Sequence, residues 1–152
     1  NNQLINGKTG NAGAIGSLPF FSGTSQRQLI TQSSLYLLER ALVDAGQNGK
    51  HIYESPSHWS CDEGIVDLWL CETAKGLAFA AQCAMSLLDV EGVIIDGAVP
   101  NDVKESLVEK TKGAMEHLDM RGLSKINVSP GIVGAKAQSI GSANLALQAN
   151  YY

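Results

Sequence analysis

The sequence predicts an α/β fold built as an incomplete sheet with packed helices, and three observations carry that reading. An apolar helical pattern runs from Ile65 to Leu88 and reads as a long helix. After it, the chain alternates strand, helix, strand and helix to its end, the order of an α/β sheet with helical cover. With 152 residues and 44% apolar composition, the chain holds enough core for one domain.

At the start, Asn1 to Lys8 reads as a short strand carrying Leu4 and Ile5, which runs directly into Gly7, Gly10, Gly13 and Gly16. Repeated turning of the backbone is expected there. A strand that begins at the first residue needs neighbours to pair with, so further sequence is expected upstream. Ser25 followed by Gln28 has the form of a capping box, and Ile30, Leu37, Leu38, Ala41, Leu42 and Ala45 continue at helical spacing to Gly46. The polar stretch from Gln47 to Pro56 reads as a loop.

Ile65, Leu68, Trp69 and the run Leu77 to Leu88 then predict the long helix, whose second half is apolar nearly all round. A helix of that kind packs on several sides. Val93, Ile94 and Ile95 form a short strand ending in Asp96-Gly97-Ala98, and Pro100 opens a helix carrying Val103, Leu107, Met115 and Leu118. Ile126 and Val128 mark another strand, followed by a Gly- and Ala-rich helix from about Val133 to Leu147. No internal repeat or low-complexity segment interrupts this order.

Charge and composition exclude several function classes. The net charge is −4, and the 11 Lys and Arg are scattered, which is not the footprint of a nucleic-acid-binding surface. Cys61, Cys71 and Cys83 are odd in number and lack CxxC spacing, the pattern of free thiols in a reducing cytoplasm. The longest apolar stretch, Gly76 to Leu88, is broken by Gln82 and Ser86 and is shorter than the roughly 20 residues of a membrane span. No signal peptide is recognised.

Familiar site motifs fail on spacing. Gly7-Lys8-Thr9 resembles the end of a P-loop, but Asn2 stands where that loop needs its first glycine. Gly10, Gly13 and Gly16 are spaced G-x-x-G-x-x-G and lack the close first pair of a dinucleotide fingerprint. His51, His58 and His117 have no partners at metal-ligand spacing, so no metal is expected. Cys61 lies near His58, but a lone thiol without a mapped base is ordinarily structural. Asp96 is the carboxylate of interest, since it ends an apolar strand where α/β folds place ligands. It can equally cap the following turn by accepting backbone N–H groups, the commoner role of Asp at such positions.

Three segments together resemble the ROK family of sugar-responsive repressors and sugar kinases. Leu4-Ile5-Asn6-Gly7-Lys8-Thr9-Gly10-Asn11-Ala12-Gly13-Ala14-Ile15-Gly16-Ser17 is similar to the family's segment running from a strand into G-x-x-G-E-x-G-H. The long apolar helix followed by Val93-Ile94-Ile95-Asp96-Gly97-Ala98-Val99-Pro100 resembles its nucleotide-side turn. Gly131 to Leu147, with the small residues Gly134, Ala135, Ala137, Gly141 and Ala143, resembles its closing helix.

The resemblance implies the C-terminal part of an actin-like/hexokinase-like (ribonuclease H-like) ATPase domain, with residues 1–152 forming a single subdomain. It also implies that an upstream half-domain and any DNA-binding domain lie outside the sequence. Ala14 stands where the family has its sugar-binding Glu and Ser17 where it has its His. Phe21 to Tyr36 lacks the cysteines of the family's zinc stretch, and Tyr36 falls at its second sugar-binding Glu. No cofactor and no zinc are therefore expected.

A transcriptional regulator is the function these departures imply: a repressor's effector-sensing and dimerising part, cytoplasmic, without catalysis of its own. Its DNA contact would come only through the upstream domain, and no membrane partner is expected. A sugar effector would meet Asn11, Gly13, Ser17 and Tyr36. The alternative is a fragment of an ATP-dependent sugar kinase, in which Asp96, Gly97 and Ala98 would lie beside the nucleotide and the catalytic Asp would lie upstream.

Overall fold

The computed structural model describes residues 7–22 and 24–151, so most of the strand assigned to Asn1–Lys8, with Leu4 and Ile5, lies outside the described residues. Of the elements read from sequence, the long helix is the organising one: α3 spans Glu63–Leu88. Asp62 caps it, its carboxylate accepting the Ile65 N–H at 3.0 Å, and Asp89 ends it in the left-handed conformation at φ 50°.

Two helices precede it. Leu35–Asp44 forms α1, and His51–Glu54 forms the single turn α2 within the stretch read as a loop. The fully buried Leu38, Leu42 and Ile52 of these helices pack with Trp69, Leu70 and Ala74 of α3. Two indoles fix the arrangement: Trp59 Nε1 donates to the Ile52 carbonyl and Trp69 Nε1 to the Ser34 carbonyl, both at 3.0 Å. Their rings meet edge to face with centroids 6.2 Å apart.

Val103 and Leu107 extend the same core from α4, Asn101–Met115, which follows β3 (Gly92–Ile95). The following strand, β4 (Asn127–Pro130), pairs with β3 in parallel, from Gly92 opposite Asn127 to Ile95 opposite Pro130. Parallel neighbours need a crossover, and α4 is that crossover, burying Val108 as Val128 is buried on the strand. Ile126 and Leu118, assigned to strand and helix from sequence, lie just outside β4 and α4. A 3-10 turn at Gly134–Lys136 leads into α5, Ala137–Tyr151.

One expectation needs correction. Ser25 and Gln28 form no capping box: Ser25–Gln28 is a strand, β2, paired antiparallel with β1 (Pro19–Ser22). The four β2 residues are all exposed, so backbone pairing alone makes the strand and leaves no apolar alternation to read. Phe20 of β1 anchors the hairpin by meeting Phe79 of α3 edge to face, with ring centroids 5.4 Å apart. The apolar half of α3 packs on several sides as expected, with Ala78, Ala80, Ala81 and Met85 buried and no residue from Leu77 to Met85 exposed, and only its last turn, with Leu87 and Leu88, is exposed. In the last helix, Ala137, Gly141 and Ala143 are exposed.

Among the described residues, no helix is long and apolar enough to cross a membrane. The three cysteines are free and half-buried.

Two helical glycines make opposite predictions. A Cβ at Gly76 in α3 would stand 2.9 Å from Leu29 Cδ1 and would also collide with Ser33 Oγ, whereas one at Gly113 in α4 meets nothing within 4 Å. Gly76→Ala is expected to destabilise the protein by roughly 1–3 kcal/mol through overpacking. Gly113→Ala is expected to stabilise it by roughly 0.5–1 kcal/mol through helix propensity, and urea unfolding of both variants checks the signs.

Candidate functional site

Two glycine-bearing turns hold the residues singled out from sequence. In the first, Gly7, Gly10 and Gly13 all adopt positive φ, at 69°, 76° and 80°. Glycine alone takes that conformation without strain, so the spacing of these residues is a backbone requirement. The Ala14 N–H donates to the Asn11 carbonyl at 3.1 Å and the Ser17 N–H to the Ala14 carbonyl at 3.0 Å, closing the turn into a 3-10 helix at Ile15–Ser17.

Asn11, Gly13 and Ser17 are exposed along this turn. The Ile15–Ser17 helix packs on the 3-10 helix Leu29–Thr31, where a Cβ at Gly16 would touch Ile30 at 3.4 Å. Tyr36 follows on the first turn of α1, 58% exposed. Apart from the exposed Lys8 and Ile15, the side chains at the turn are amides, hydroxyls and methyls; the first acid in the chain is Glu39 and the first His is His51. Such a surface can exchange hydrogen bonds with hydroxyls but carries no base to deprotonate one.

The second turn lies at the C-terminal ends of the parallel strands. Asp96 follows β3, and its carboxylate accepts N–H groups from Gly97 at 2.9 Å, Val133 at 3.1 Å and Gly134 at 3.0 Å. Lys104 Nζ lies 2.8 Å from the same carboxylate and donates to the Gly131 carbonyl at 2.9 Å. That lysine side chain is only 3% exposed, against 21% for the Asp96 side chain. The Gly131 N–H donates to the Ile95 carbonyl at 2.8 Å, and a Cβ at Gly131 would collide with the Asp96 side chain. The Lys104 ammonium, and after it the Gly134, Gly97 and Val133 N–H groups, hold the Asp96 carboxyl far below the usual carboxylate range.

Lys104 was not singled out from sequence, although a signal existed. With Leu107, Val108 and Thr111 it forms the i, i+3, i+4, i+7 stripe that α4 buries. A lysine on a buried stripe demands an anion, and Asp96 is the acid that ends the preceding strand.

Neither of two surface clefts involves the residues chosen from sequence. One, of about 350 Å³, is lined by residues of α3 and α4 together with His58, Trp59 and Cys61. The other, of about 450 Å³, is lined by the end of α4 and the segment leading to β4. His58 and Cys61 thus share a cleft, but burial and the neighbouring Asp62 push the Cys61 thiol up, away from the nucleophilic thiolate. Among the described residues, no group of three His, Cys, Asp or Glu side chains is arranged to hold a metal ion.

No protein-family model matches the sequence, and no curated protein matches it significantly. The coordinates, by contrast, are similar to a ROK hexokinase from Thermus thermophilus, with a TM-score of 0.62 and 17% identity over 94% of this chain and 50% of that one. They are also similar to a ROK family protein from Streptococcus pneumoniae TIGR4, whose crystal structure is a complex with sucrose. There the TM-score is 0.67 at 14% identity, over 97% of this chain and 52% of that one. The chain has the fold of these ROK proteins, a partial hexokinase-like α/β fold, and spans about half their length.

The Asp96 link has a defined pH dependence. Because its carboxyl ionises below the ordinary range, the stabilisation is fully present above the unfolded-state value of about 3.9 and is lost as pH falls from there towards the folded-state value. Asp96→Asn is expected to lower the melting temperature by a constant margin between about pH 5 and 8, with the margin narrowing below about pH 4. Thermal melts of both proteins across that range check it, and a margin unchanged at about pH 3 would contradict the assignment.

Proposed function

We propose that this chain is the effector-sensing and self-associating part of a cytoplasmic, sugar-responsive regulator of ROK type, a repressor whose DNA contact is made by a separate upstream domain. The observation that carries this reading is the first glycine turn. Its left-handed glycines at 7, 10 and 13 keep a backbone able to approach a small ligand closely, while Ala14 and Ser17 leave it without acid or imidazole. A sensor needs only different affinities for two conformations and no phosphoryl-transfer groups. Asn11, Ser17 and Tyr36 would offer amide and hydroxyl partners to sugar hydroxyls, and Gly13 would allow close approach. The sucrose complex of the Streptococcus pneumoniae neighbour supports a sugar as the ligand class. Exposed apolar side chains such as Leu87, Leu88, Ile94 and Ile132 support self-association, with a homodimer as the simplest form.

The kinase alternative draws on the Thermus thermophilus hexokinase neighbour. It would place Asp96, Gly97 and Ala98 beside ATP and take its base from another part of the protein. The commitment of Asp96 to Lys104 and three N–H groups weighs against a nucleotide at that turn.

A thermal-shift screen of the protein against neutral sugars and amino sugars, with and without MgATP, separates the two readings. A sugar is expected to raise the melting temperature without ATP, because it binds the native state alone. Ser17→Ala or Asn11→Ala is expected to weaken that sugar roughly 3- to 10-fold, the loss of one neutral hydrogen bond. Stabilisation only by MgATP, with sugar phosphate formed, would favour the kinase.

A further inference from the structure

We infer that the turn beyond β3 and β4 is a small-oxyanion site whose ligand in the native chain is its own Asp96 carboxylate. Val133 is right-handed helical, at φ −86° and ψ −39°, and Gly134 follows at φ +58°. A right-handed residue followed by a left-handed one turns successive N–H groups into a single concavity, a backbone geometry that receives anions. Both N–H groups point at Asp96, at 3.1 Å and 3.0 Å, and the Gly97 N–H closes on it from the opposite strand end at 2.9 Å.

The charge of the site is supplied by Lys104. Its side chain is 3% exposed, and its ammonium lies 2.8 Å from the carboxylate and has the Gly131 carbonyl as its other partner. Asp96 is the carboxylate paired with it among the described residues. A buried ammonium is tolerated only when compensated, so the anion is a condition of this turn's conformation. The Asp96 side chain itself keeps 21% exposure, so the position it fills is open to solvent. Truncating it to a methyl would leave three N–H donors and one ammonium around a solvent-accessible space the size of a carboxylate. Formate matches that space directly, and inorganic phosphate presents the same oxygen chemistry on a larger body.

The consequence concerns specificity. With those donors occupied from within, a phosphate-bearing ligand reaching this turn meets a carboxylate and is repelled. Asp96 therefore acts as an exclusion residue at the end of the sheet, and this holds whether or not a sugar binds at the first turn.

The experiment compares the melting temperatures of the wild-type protein, Asp96→Ala and Asp96→Ala/Lys104→Met in sodium formate, sodium phosphate and sodium chloride at matched ionic strength. Wild type reports the general stabilising effect of each salt, which phosphate exerts on most proteins. Asp96→Ala is expected to gain several degrees more than wild type, saturably, in formate or phosphate but not chloride. The double variant is expected to lose that excess. An Asp96→Ala response no larger than wild type overturns the assignment, as does an excess that survives in the double variant. If Asp96→Ala has no cooperative melt, far-UV dichroism in the three salts decides: helix recovered in formate or phosphate supports the site, and the same unfolded signal in all three overturns it.

Discussion

A lysine buried to 3% exposure imposes a condition on the second half of this chain, because an ammonium withdrawn from water must meet an anion and satisfy its remaining protons. Lys104 meets both demands at one place, with Asp96 as the anion and the Gly131 carbonyl as acceptor. Those two partners belong to segments 35 residues apart, the ends of β3 and β4. The ion pair therefore fixes more than a local contact. It sets how the crossover helix α4 lies against the sheet and where the chain turns towards α5. Gly131 is needed because a Cβ there would occupy the space of the Asp96 side chain, and Gly134 because its N–H reaches the carboxylate only from a left-handed backbone.

The first glycine turn has a different logic. It is held by short-range backbone hydrogen bonds and by the packing of Ile15–Ser17 on Leu29–Thr31, and apart from Lys8 its exposed side chains are neutral. Beyond it, the β1–β2 hairpin is fastened to α3 by Phe20 on Phe79. The chain thus carries one turn that is exposed and bears no acid and another whose Gly97, Val133 and Gly134 N–H groups are engaged by Asp96. No carboxylate or imidazole stands at the first, whereas at the second the Lys104 ammonium and three N–H groups already meet a carboxylate. This division is the physical basis on which a sensor, and not a kinase, is proposed.

Much of the fold was legible because burial leaves periodic marks. The stripe from Ile65 to Leu88 identified α3, and the order Val93–Ile95, Val103–Met115, Val128 identified the parallel β3–α4–β4 unit. What escaped left no such mark. The Ser25–Gln28 strand is wholly exposed and polar, so a Ser and a Gln at capping-box spacing read as a helix start. The α2 turn is four residues long and is held by the burial of Ile52, too short for any period to show. At the second turn, Asp96 was conspicuous from its place at a strand end, but its partner Lys104 was visible only as an anomaly on a buried stripe. Ile132 and the apolar residues Ile140, Leu145 and Leu147 of α5 are exposed; a periodic pattern marks a face without naming what covers it.

Backbone amide NMR of the 15N-labelled protein, titrated first with a stabilising sugar and then with MgATP, tests the division between the two turns most directly. The account predicts that the amides of Asn11, Gly13 and Ser17 shift with the sugar, while those of Gly97, Val133 and Gly134 stay in place through the MgATP titration. Saturable shifts of Val133 and Gly134 with MgATP, and none at the first turn with any sugar, would contradict it.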